Sequence, residues 1–135
     1  TIIKGRNKEN DLPFTHIPPT FGKTAFYADF ERWRASFFVL YNGRKAIEEY
    51  DLASGTDNED ESPIKWILTE EGNWIRQYQG TPSWATINMS FMYRVTGLFI
   101  VQFALENMLD QHCKTFSSGL SAPGRNFIVT IQSKF

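Results

Sequence analysis

The chain has 135 residues, with 14 Lys and Arg against 15 Asp and Glu, a formal net charge of −1, 41% apolar and 16% aromatic residues, and one Cys. That length suits one domain with a single core, and low charge with many aromatics excludes a disordered chain. A single Cys excludes an internal disulfide framework, the charge balance disfavours a strongly basic nucleic-acid domain, and no window approaches the ~18 consecutive apolar residues of a membrane-spanning helix.

Residues 1–22 read as an irregular arm, set apart from a single domain over 23–135. Pro13, Pro18 and Pro19 block regular helix. Lys4, Arg6 and Lys8 make the arm locally basic, while Phe14, Ile17 and Phe21 suit a strap pinned to the domain. Phe26, Phe30, Trp33 and Phe37 recur at i, i+4, i+7 and i+11, which predicts a helix from about 24 to 34. The run Phe37–Tyr41 then reads as a strand. Asn42-Gly43 predicts a tight hairpin turn, returning along Arg44–Leu52 as a second strand in competition with helix-favouring residues.

Residues 53–63 form a loop with acidic Asp57, Glu59, Asp60 and Glu61, without the spacing of a calcium loop. Ile64–Thr69 and Trp74–Gln79 flank Glu70-Glu71-Gly72-Asn73 as a hairpin. A symmetric four-residue loop sets Thr69 opposite Trp74, Ile67 opposite Arg76, and Lys65 opposite Tyr78. Over 85–95, Ala85, Ile87, Met89, Phe91, Tyr93 and Val95 alternate with Thr86, Asn88, Ser90, Met92 and Arg94. This period of two predicts a strand whose apolar row is buried and whose polar row is wet. The sequon Asn88-Met89-Ser90 inside it reads as a chance match.

After Gly97 a second helix is expected, with Leu98, Val101, Leu105, Met108, Leu109, His112 and Phe116 on one face and Gln102, Glu106, Asp110 and Lys114 on the other. Gly119 suits its C-terminal cap. A last strand follows over Phe127–Ser133. The predicted fold class is therefore α+β: an antiparallel sheet of about five to six strands with two helices packed on one face.

Candidate chemistry is sparse. Two histidines, His16 and His112, and one Cys build no zinc site. His112 and Cys113 are adjacent and diverge on a helix, which argues against a nucleophile–base pair. Glu106 and Asp110 share a polar stripe and read as solvated. Phosphate loops and nucleophile elbows are absent. The reading is thus no enzyme, no catalytic residues, no metal and no cofactor.

The expected function is a non-enzymatic binding or structural module, self-associating or protein-binding through an aromatic-rich surface. The expected site residues are Trp74, Arg76, Tyr78 and Lys65 on the hairpin, with Arg32, Trp33 and Arg34. The same residues support an alternative, single-stranded nucleic-acid or RNA binding by stacking beside cations. A third reading is a lipophilic pocket between the sheet and the second helix. A soluble protein is expected, with the lone Cys favouring a reducing compartment.

Overall fold

The computed structural model describes residues 1–14, 16–50, 64–118 and 120–134. Its elements in chain order are β1 (Phe21–Asp29), β2 (Trp33–Asn42), a single 3-10 turn (Ile47–Glu49), β3 (Ile64–Leu68), β4 (Trp74–Tyr78), β5 (Trp84–Arg94), β6 (Phe99–Glu106) and β7 (Asn126–Ser133). No helix of seven or more residues occurs among the described residues, which overturns the α+β expectation. The protein is nearly all β, with a five-stranded sheet ordered β1-β2-β5-β6-β7 and a separate hairpin β3-β4. The chain divides into two compact units, residues 1–21, 42–83 and 114–121, and residues 22–41, 84–113 and 122–135.

The first predicted helix is β1 followed by the turn into β2. Phe30 stacks on Trp33 with ring centroids 4.0 Å apart, and Asp29 pairs with Arg34. Both contacts close an antiparallel strand pair across residues 31–32. The segment is rich in Phe, Tyr and Trp, which pack well on a pleated surface. The second predicted helix is β6, preceded by a tight turn. Thr96 Oγ1 accepts the N–H groups of Leu98 and Phe99 at 3.2 and 3.1 Å, folding the chain back along β5. Strand pairing on both sides then fixes β6. Phe91 lies opposite Phe103 and Phe103 opposite Val129, while Tyr93 lies opposite Val101 and Val101 opposite Ile131.

The hairpin expected at Asn42-Gly43 is absent. Neither residue takes the positive φ that a type I′ turn requires. Instead Gly43 N–H donates to Thr20 O at 2.6 Å, and 47–49 forms the 3-10 turn, with Ala46 N–H donating to Glu49 Oε2 at 2.9 Å. The expected return strand does not pair back on 37–41; over 44–50 its one strand-like contact is the isolated bridge of Lys45 to Thr81. The acidic stretch 57–61, the rest of that return strand and the Gly119 cap lie outside the described residues.

In the first unit, Lys45 and Thr81 exchange backbone hydrogen bonds at 2.9 Å. The buried Tyr50 hydroxyl bonds the Thr81 hydroxyl, and the Lys45 ammonium sits 4.2 and 4.5 Å from the ring centroids of Tyr50 and Phe116 while donating to Ile17 O at 2.8 Å. Gly80, at φ +74°, is needed here because a Cβ would run into the Lys45 carbonyl.

The five-stranded sheet reverses the expected burial. On β5 the polar row is covered: Thr86 is 5% exposed and Asn88 3%, whereas Met89 is 42% exposed and Phe91 38%. Hydrogen bonds explain the buried row. Asn88 Oδ1 accepts the Asn107 N–H at 2.9 Å, and its amide donates to Thr86 O and Oγ1 at 3.2 and 3.1 Å. Ser36 and Ser90 hydroxyls meet at 2.8 Å. Asn107, at φ +48°, holds the 107–111 turn by donating to Gln111 O at 2.8 Å and accepting from Gln111 N–H at 2.9 Å. The sequon Asn88 is therefore engaged at both ends of its amide, with no room for a glycan.

Among the described residues, Tyr50, Cys113 and Pro19 are the apolar side chains that are fully buried.

Candidate interaction surface

In the first unit, the hairpin carries four of the expected site residues, in a register one residue from the symmetric one. Leu68 pairs with Trp74, Trp66 with Arg76, and Lys65 with Gln77. The loop is five residues long, Thr69–Asn73, closed by Thr69 N–H to Asn73 O at 2.8 Å, with Gly72 at φ +82°. This slip changes the composition of each face. Trp74, Arg76 and Tyr78 stay together and gain Trp66 and Leu68, while Lys65 moves to the opposite face with Ile67, Ile75 and Gln77. Trp66 is 59% and Trp74 64% exposed. Trp66 belongs to this surface although the symmetric loop placed it on the other side. The missed signal is Gly72, which enters its turn at the fourth loop position.

In the second unit, Arg32, Trp33 and Arg34 do not converge. Trp33 stacks on Phe30 and lies tilted against Phe91 with centroids 6.0 Å apart. Arg34 turns to the opposite face and pairs with Asp29, whose carboxylate favours the charged guanidinium. Arg32 lies on the turn with Arg94 beside it, where Arg94 N–H donates to Arg32 O at 2.7 Å.

The largest surface of interest is the sheet face that carries Phe91. Directly paired residues share a face, so Met89, Phe91 and Tyr93 of β5, Leu105, Phe103 and Val101 of β6, and Phe127, Val129 and Ile131 of β7 form one block. The Trp33–Phe91 contact and the Ser36–Ser90 bond on the other side extend the block through Phe37 and Tyr41 of β2. Phe30 on Trp33 places Phe26 of β1 at its far edge. No charged side chain interrupts these rows. Phe103 is 51% exposed, and Phe127 and Ile131 are each 72% exposed. The alternation over 85–95 locates the β5 row but predicts it buried, and the spacing after Gly97 predicts a helix where the β6 row lies. The lipophilic pocket expected beneath that helix has no helix to close it.

Other chemistry is scattered. Lys4, Arg6 and Arg44 line a groove of about 460 Å³ in the first unit, with Phe14, Ile17 and Glu49. Arg6 bonds Asp11 at 3.2 Å. Glu106 ends β6 within 3.5 Å of the Asn126 amide, and Asp110 Oδ1 accepts the Arg125 N–H at 2.8 Å, so the two carboxylates do not form a stripe. His112 is exposed beside buried Cys113, whose thiol is pushed up by burial. Among the described residues no three His, Cys, Asp or Glu side chains converge as metal ligands, and no helix is long and apolar enough to cross a membrane. Comparison with protein-family models, characterised proteins and solved structures finds no match to this chain.

Proposed function

We propose that this chain is a non-enzymatic structural or binding module that works by association through aromatic-rich surface, with itself as the first partner. The observation that carries this reading is the uninterrupted apolar face of the five-stranded sheet, left in solvent at Phe103, Phe127 and Ile131 while Thr86 and Asn88 behind it are hydrogen-bonded and buried. A monomer seldom leaves a contiguous apolar patch of more than a few hundred Å² bare, and larger patches mark interaction sites. Sedimentation velocity across a concentration series tests the reading. Association that deepens with concentration is expected, and a strictly monomeric chain at high micromolar concentration refutes it.

A second reading rests on the hairpin, where Trp66, Trp74 and Tyr78 share a face with Arg76. Exposed rings beside a cation suit stacking on single-stranded nucleic acid. Retention on single-stranded RNA that is lost as salt is raised supports it, and salt-insensitive or absent retention refutes it.

A further inference from the structure

We infer that the apolar face of the five-stranded sheet is the self-association surface, and that two copies pack face to face as a two-layer β-sandwich with one sheet from each. This deepens the proposed self-association and rests on it. Strands in a sheet lie ~4.8 Å apart and rise ~3.3 Å per residue, so five strands of about eight residues present a face of about 24 by 27 Å. Two such faces amount to roughly 1,300 Å² even when taken as flat, within the 1,200–2,000 Å² that stable interfaces bury. Charge points the same way. The face carries no Lys, Arg, Asp or Glu in its central rows, so a second copy meets no like charge and strands no ion. Sheets packed face to face sit about 10 Å apart on interdigitating side chains, and the rungs Met89–Leu105–Phe127, Phe91–Phe103–Val129 and Tyr93–Val101–Ile131 supply the mixture of large and smaller groups this needs. Arg94 and Glu106 fall on the reverse face with Gln102 and Thr130, so these strands bring no charge into the block.

The test is sedimentation equilibrium of the full chain and of two double variants on the same strands. Phe103→Asp with Val129→Asp strikes the face, and Gln102→Asp with Thr130→Asp, a directly paired couple on the opposite face, is the control. Loss of the dimer by at least thirtyfold in the first, with β-type circular dichroism retained, and an unchanged dimer in the control are expected. A dimer that survives the first variant overturns the face proposal while leaving self-association standing. A monomeric wild-type chain overturns both, and flotation of that monomer with phosphatidylcholine vesicles assigns the face to lipid instead. The wild-type chain also gives a reading independent of whether the variants fold. Peroxide oxidation of Met89, on the face, should slow at least tenfold as concentration drives dimerisation, while Met92 on the reverse side is unchanged. An oxidation rate of Met89 that ignores dimer formation overturns the proposal.

Discussion

Asn88→Ala probes the side of the sheet that is sealed. In the native chain the Asn88 carbonyl accepts the Asn107 N–H at 2.9 Å, and the amide donates to Thr86 and to Phe38 O, the latter at 3.4 Å. Asn107 is itself 4% exposed, so alanine leaves its N–H without acceptor or water. An orphaned buried donor costs about 1–3 kcal/mol, and the lost amide bonds add about 1 kcal/mol, giving roughly 2–4 kcal/mol in all. The assay is urea unfolding at several protein concentrations, because association contributes to apparent stability. Asn88→Asp is the informative companion. It keeps an acceptor for Asn107 but points a second oxygen at the Thr86 carbonyl. Burial should raise that carboxyl above its unfolded value of about 3.9. Its penalty is then absent below the unfolded pKa, grows as pH rises through the interval up to the folded pKa, and is complete above it. Stability of the Asp variant should therefore recover on acidification relative to the alanine variant. If Asn88→Ala costs less than about 0.5 kcal/mol, the level of an ordinary surface change, the polar row is not the covered side and the assignment of the apolar face to solvent fails.

On the hairpin, Trp74→Ala should change unfolding stability by no more than about 1 kcal/mol because the ring is largely exposed; a collapse of the thermal transition would place the ring in a core. Cys113 is buried and its thiol pushed up, so iodoacetamide should label it slowly in the native protein at neutral pH and readily in urea, and rapid native labelling refutes its burial. Gly80→Ala should cost more than about 1 kcal/mol, since alanine disfavours positive φ and its Cβ would meet the Lys45 backbone; a neutral melting temperature would contradict the close approach of residues 45 and 80.

The sequence alone determined the strand over 85–95, the hairpin around Gly72 and the final strand, because each rests on local signals: alternation, or a glycine needing positive φ. It predicted helix over 24–34 and again after Gly97, where the chain forms β1 and β6. Residues four apart share a face in both structures, so Phe26 with Phe30, or Val101 with Leu105, fit either. The distinguishing positions are those at i+2, and Ala28 and Phe103 are both apolar there, as a strand requires. The pairing of β6 between β5 and β7 settled the matter, and the β7 partners, such as Val129 for Phe103 and Ile131 for Val101, lie beyond any local window. Register of the hairpin turned on one loop residue, and with it the exchange of Lys65 for Trp66 beside Arg76. Which side of the sheet faces solvent was beyond the sequence altogether. Alternation states that two faces differ, and the usual inference buries the apolar one. Here Asn88 finds its partners at Phe38 and Asn107, and Ser90 finds Ser36, contacts that exist only once distant segments are brought together. Those hydrogen bonds satisfy the polar row inside the fold and leave Phe91, Phe103 and Val129 looking outward.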